Sequence, residues 1–260
     1  MLNHQNLSSS NVLSPAAPFE HEAAKLNRRA TDGNGIEGNV VSLRKPLVSR
    51  RRIPIIGIVG GIGSGKSAVT NWVAARSRVA VINADALGHD ALNTDSVIDA
   101  LTSRFGNQIL GSDGTIVRSR LAELIFGMDP DHLIARRDLE DIVHPEISRR
   151  IMDAVETAAV QGQDAVLLDA AILLEAGWRT KCDLVVYIDS PDAERLNRVR
   201  ENRGWTLEEL NRREGSQWSL TDKRRESDFI VTNDRELEYA GRQLLNALQQ
   251  VGVRPFNRLD

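Results

Sequence analysis

The sequence is short of the residues on which many functions depend. It holds a single cysteine, Cys182, which excludes an intramolecular disulfide and a cysteine-based metal cluster. Aromatic residues make up only 4% of the chain, too few for the stacking platforms used on single-stranded nucleic acid. A net charge of −3 supplies no basic field for bulk nucleic-acid binding. No apolar run reaches the roughly 18 residues of a membrane span. What is present is ordinary in amount: 41% hydrophobic and 27% charged residues over 260 positions, enough to bury a sizeable core. At roughly 150 residues per domain, the length allows one large domain or two modest ones. These limits leave a soluble enzyme or nucleotide-binding module, expected in the cytoplasm, with neither nucleic acid nor membrane as partner.

Residues 1–52 differ from the rest. They open with Gln5, Asn6, Ser8, Ser9 and Ser10, then scatter Pro15, Pro18, Gly33, Gly35 and Gly38 without a sustained apolar period. The segment reads as a disordered tail. It has no continuous apolar stretch of the secretory kind, and Glu20, Glu22, Asp32 and Glu37 argue against a transit peptide. Arg44, Lys45, Arg50, Arg51 and Arg52 lead into the fold as a solvated hinge, the alternative being contact with an anionic partner.

From Ile53 the pattern becomes regular. Ile55, Ile56, Ile58 and Val59 form a buried strand that ends in glycines, with Pro54 ahead of the ladder. Short apolar runs recur at 79–82, 165–168, 184–188 and 229–231, and a helix is predicted from Lys66 to about Ala75. Strands alternating with helices give an α/β fold with a parallel sheet. Between the second and third strands, residues 90–163 read as a helical insertion. Its stripes are Val97, Ile98, Leu101 and Phe105, then Val117, Leu121, Leu124 and Ile125. Its third helix is predicted to open at His144-Pro145 and carries Ile147, Ile151, Met152 and Val155. After the fourth strand, Ser190-Pro191 is read as the start of an arginine-rich helix holding Arg195, Arg198, Arg200 and Arg203. Thr206 with Glu209 forms a capping box for the next helix. A last helix shows Leu237, Ala240, Leu244, Leu245 and Leu248 on one face, and 251–260 reads as a C-terminal tail. Trp72, Trp178, Trp205 and Trp218 read as packing residues, and Cys182 as an inert small hydrophobe.

The strongest chemical signal is Gly60-Gly61-Ile62-Gly63-Ser64-Gly65-Lys66-Ser67 between a predicted strand and a predicted helix. Glycines let the backbone turn its N–H groups inward on phosphate oxygens, and the helix adds the positive end of its dipole. Gly61 to Ala68 therefore form the candidate ATP site, with Lys66 reaching the β- and γ-phosphates and the Ser67 hydroxyl suited to Mg²⁺. Neither Asp189-Ser190-Pro191 nor Thr232-Asn233-Asp234 matches the guanine-reading motif of a GTPase. Length and charge fit a small kinase better than a motor or helicase. Asp85 is read as the end of the second strand, facing the crevice where neighbouring parallel strands end, the position for a base on an acceptor hydroxyl. Asp169 ends the third strand and is a candidate Mg²⁺ ligand. For both carboxylates the plainer alternative is a helix cap. His89 and His144 lie in the inserted region, where a purely structural histidine is the alternative.

In family order, Gly57 through Ser67, Val81-Ile82-Asn83-Ala84-Asp85, Asp113-Gly114 with Arg118, His144-Pro145, Asp169, Leu173-Leu174-Glu175-Ala176-Gly177, Arg213, Gln217, Lys223, Asp228 and Asn233 resemble the dephospho-CoA kinase family over residues 53–250. The resemblance implies a P-loop kinase fold with a five-stranded parallel core, a helical CoA-binding insertion and a helical lid. It implies ATP-dependent phosphorylation of the ribose 3′-hydroxyl of dephospho-CoA, by a monomer or small homo-oligomer. It makes Asp85 the base and puts Arg118 and His144, with His89 as a further candidate, on the acceptor, and Asn233 near the nucleotide. The sequence departs from the family at Asn83 for aspartate, Ala68 for threonine, Ala171 for proline, and Asn202 for a lid arginine. Arg198, four positions before Asn202 on a helix, is the expected catalytic substitute. The alternatives left open are another small-metabolite P-loop kinase and a non-catalytic ATP-binding module.

Overall fold

The computed structural model describes residues 52–125, 127, 129–254 and 256. The expected disordered segment 1–52 lies outside the described residues except for Arg52, whose guanidinium donates to Lys181 O and Asp183 Oδ2 at 3.2 and 3.4 Å.

Five strands form one parallel sheet in the order β2-β3-β1-β4-β5: β1 (Ile55–Gly60), β2 (Val79–Asn83), β3 (Ala165–Asp169), β4 (Leu184–Asp189) and β5 (Phe229–Thr232). Every pairing is parallel, so all the carboxyl ends open on one edge. Strand β1 is buried along its whole length because both faces are covered, which is why it reads as a continuous apolar run. Ile55 and Val59 face one layer, where Ile151, Val155 and Ala158 pack. Ile56 and Ile58 face the other, against Val69 and Val73 of α1 (Lys66–Ala74) and Ala240, Leu244 and Leu248 of α9 (Leu237–Gln249).

The insertion, expected at 90–163, already begins with α2 (Ala84–Ala91) directly after β2 and continues through α3 (Asp95–Phe105), α4 (Arg118–Ile125) and α5 (Pro130–Val160). It builds a third core from Ala91, Val97, Leu101, Phe105, Leu121 and Val143. Here the structure corrects a boundary. His144-Pro145 does not open a helix; Pro145 lies inside the 31-residue α5. The helix starts at Pro130, where Asp129 accepts the His132 N–H, the arrangement of an N-cap followed by proline. Pro145 is tolerated inside because Val143, Ile151, Val155 and Ala158, buried on either side of it, anchor one continuous face.

The remaining helices are α6 (Asp192–Arg203), α7 (Leu207–Glu214) and α8 (Leu220–Arg225). Pro191, not Ser190, holds the cap position of α6, and no side chain caps it. Ser190 Oγ instead donates to Asn233 O at 2.9 Å. Thr206 caps α7 by accepting the Glu209 N–H at 3.2 Å, but the Glu209 carboxylate accepts from Arg212 and Arg213 instead of returning to the Thr206 N–H, so only half of the expected capping box forms. Past α9 the chain stays on the body: Val253 is buried in the α1–α9 core and the Phe256 N–H donates to Arg76 O at 2.8 Å. No helix of the described residues is long and apolar enough to cross a membrane.

Candidate active site

The site grows from the carboxyl edge of the sheet. Between β1 and α1 the chain turns at Gly63 and Gly65, whose φ values of 76° and 85° favour glycine. The turn is tightly backed. A side chain on Gly61 would meet the Arg195 guanidinium at 2.5 Å, and one on Gly65 would run into Asn233 Nδ2. No side chain caps α1 at Gly65, which leaves the N–H groups of its first turn facing outward for an anion. Ala68, in that turn, is exposed. Among the described residues Lys66 Nζ donates to Gly60 O and Gly61 O, both at 3.2 Å. Burial in the loop lowers its pKa, with the Asp169 carboxylate opposing.

The three carboxyl-end acids and amides divide their work. Asn83 Oδ1 accepts the Ala86 N–H at 2.9 Å and caps α2. The capping role is thus filled by Asn83, and Asp85 in the first turn is released to face the cleft. Its carboxylate accepts the Ala171 N–H, and crowding by the cleft walls raises its pKa, with the Asp169 charge adding to the effect. Asp169 caps no helix; its Oδ2 accepts the Ser67 hydroxyl at 2.5 Å.

Two cavities meet here. One, of about 640 Å³, is polar and runs from Gly63, Lys66 and Ser67 past Asp169 to Arg212 and Gln217. The other, of about 760 Å³, is largely apolar and lies against Ile147, Ile151, Leu168 and Trp178. Asp85, Ala171, Arg203, Trp205 and Arg213 border both. His89 and His144 line the apolar cavity. Arg118 does not line it; its Nη2 lies 2.6 Å from His89 Nε2, so it reaches the cavity only through that ring.

Two predicted residues sit elsewhere than expected. Arg198 does not enter either cavity. Its guanidinium is used behind the phosphate loop, donating to Ser190 Oγ at 2.8 Å, Gly63 O at 3.3 Å and Asn233 O at 3.4 Å. The loop carbonyls turned away from the anion side need a donor, and Arg198 fills that need. Asn202 Nδ2 turns back to Arg198 O at 2.8 Å. Asn233 also braces from behind, its Nδ2 donating to Ser64 O at 2.7 Å. Arg195, almost wholly buried, completes this backing by pairing with Glu214 and donating to Ile62 O. Glu214 in turn accepts the Ile62 N–H at 2.9 Å. Of the α6 arginines it is Arg203 that reaches the cavities, because α6 ends there: Gly204 adopts φ 67° and reverses the chain. Sequence reasoning missed Trp205 as a cavity residue; the signal was its place directly after that helix-ending glycine.

A phosphate loop after the central strand, a carboxylate facing it from the next βα junction and arginines at the rim define a P-loop kinase. The comparisons then narrow the class. The chain belongs to the dephospho-CoA kinase family, whose model matches residues 54–238. It is similar to the dephospho-CoA kinase of Rhodopirellula baltica, 36% identical over 199 residues that cover 76% of this chain and 91% of that protein. The dephospho-CoA kinase of Dehalococcoides mccartyi is 33% identical over 184 residues, covering 71% of this chain and 90% of the relative. Among solved structures, the crystal structure of TT1252 from Thermus thermophilus superposes with a TM-score of 0.63 at 30% identity, over 77% of this chain and 98% of that one.

Proposed function

We infer that this chain carries out ATP-dependent phosphorylation of dephospho-CoA at its ribose 3′-hydroxyl, giving CoA and ADP, the terminal step of CoA biosynthesis. The observation that carries the assignment of roles is that Asp85 borders both cavities. The polar cavity suits the triphosphate, and the larger apolar one suits an acceptor with an extended organic arm. Asp85 then stands where a hydroxyl from one meets a γ-phosphoryl from the other. It accepts the hydroxyl proton as the oxygen attacks. Lys66 and the α1 N–H groups hold the phosphate oxygens, and Arg203 and Arg213 meet the charge that spreads over the transferring group. His89 and His144 contact the acceptor, with Arg118 orienting His89. Arg198, Asn233 and Arg195 keep the loop in shape.

Ser67 and Asp169 fit Mg²⁺. Their oxygens are hard donors held side by side, and two protein oxygens leave the coordination that phosphates and waters complete. Such an ion would supply neutralising positive charge to the phosphates. We place the enzyme in the cytoplasm, as a monomer or small homo-oligomer. Incubation with ATP, Mg²⁺ and dephospho-CoA followed by mass spectrometry tests the reading. CoA appearing with ADP is the expected result. ADP formed only with another hydroxylated metabolite would reassign the acceptor, and ATP binding without turnover would mark a non-catalytic module.

A further inference from the structure

We propose that Trp205 is a positioning residue for the transfer, holding the Arg203 and Arg213 guanidiniums at the common mouth of the two cavities without neutralising them. The inference rests on the kinase reading of the site. Trp205 follows Gly204, and its N–H donates to Val199 O at 3.3 Å, which fixes the indole at the turn between α6 and α7. The Arg203 guanidinium carbon lies 4.8 Å from the ring centroid and that of Arg213 lies 4.2 Å away. Trp205 and both arginines border both cavities.

The charge accounting gives the ring its role. Among the described residues Arg203 has the indole as its partner and no carboxylate within ion-pair distance. Arg213 shares the Glu209 carboxylate with Arg212, so two guanidiniums face one negative charge and a positive charge is left over. A carboxylate in place of the indole would also hold Arg203, but it would cancel the charge and compete with phosphate oxygens. An aromatic face attracts a guanidinium through its quadrupole and carries no net charge. It also leaves the N–H edge of the planar group free for two parallel bonds to a phosphate. An exposed arginine on a helix end otherwise samples many rotamers, and stacking removes part of that freedom before substrate arrives.

The test is a mutant cycle in the full chain. Trp205→Leu should lower kcat roughly 3- to 30-fold, the scale of lost cation–π attraction, with the fold retained by circular dichroism, and Trp205→Phe should recover part of the loss. In an Arg203→Ala, Arg213→Ala background, Trp205→Leu should change kcat less than about twofold. The same cycle read in the ATP dissociation constant serves variants too slow to assay. A full multiplicative loss in the double-arginine background would overturn the proposal, because the ring would then act on substrate or fold by itself. If the double-arginine variant turns over normally, the assignment of the arginines to phosphate fails instead, and the inference with it.

Discussion

Asp85 is held in a state that favours chemistry over stability. Its raised pKa means that folding strengthens its hold on a proton. Stability from this group is therefore complete below the unfolded carboxylate pKa and is lost as pH rises through the higher folded value. At neutral pH the charged form costs stability, and removing it should help the fold. Asp85→Asn should raise Tm at pH 7 while lowering kcat by roughly 10²- to 10⁴-fold, the range for a lost general base, with ATP affinity retained. In the native chain, kcat should fall as pH drops through a value above the ordinary carboxylate range, and a profile flat through that window would exclude Asp85 as the base. Lys66→Ala should abolish turnover, because Lys66 is the lysine in the phosphate cavity. Calorimetry with ATP would check that binding weakens as well. Much of this site is legible in the sequence: the loop and Asp169 fall where strand ends place them, while Asp85, read as a strand end, sits past β2 in the first turn of α2. The arginines are not. Helix spacing puts Arg198 on the face of Asn202, but which face meets the cleft depends on where α6 ends and on which loop carbonyls lack a donor. Those are tertiary facts. Arg203→Ala should accordingly reduce kcat more than Arg198→Ala at saturating ATP, while Arg198→Ala should reduce Tm more.

At the scale of elements, the sheet is the most legible part, since each strand is an apolar run closed by an acid, an amide or glycine. The long α5 is not legible in the same way. A proline after a histidine looks like a start, and only packing on both sides of Pro145 reveals a continuous helix. Pro145 is exposed, so its replacement disturbs no packing. Pro145→Ala should restore a backbone N–H to the helix interior and stabilise the protein by up to about 3 kcal/mol, read from urea unfolding. The opposite case is Lys223 on α8. Its ammonium, 1% exposed, pairs with Glu175 at 3.0 Å and donates to Gln217 Oε1 and Ala171 O at 2.8 and 2.9 Å. Glu175 also accepts the Trp218 N–H at 2.8 Å. The pair therefore ties the segment after α7 to the loop that follows β3, whose Ala171 N–H serves Asp85. Lys223→Met leaves Glu175 with no counter-charge, and about 3–5 kcal/mol of destabilisation is expected from breaking such a buried pair.

At the largest scale the described residues form a parallel sheet covered on both faces, with a third core in the helices between β2 and β3, and the limits of this unit can be tested by cutting the chain. All three cores draw their buried residues from 53–253. A chain beginning at Arg50 should keep its fold and turnover, as Tm and CoA formation would report. A chain ending at Gln250 should not keep its stability, because Val253 leaves the α1–α9 core; the loss should be about 1.5–3 kcal/mol for one buried side chain of that size. The strand order has a consequence for the birth of the protein. The central strand β1 is made first, yet its neighbours β3 and β4 follow about 105 and 124 residues later. At roughly 5–20 residues per second on the ribosome, the sticky segment Ile55–Gly60 waits on the order of 5–20 s for a mate. The insertion closes its own core from sequence-local contacts in the meantime. For those seconds a helical core can stand beside a strand that has no mate, and the nascent chain depends on whatever shields that apolar segment.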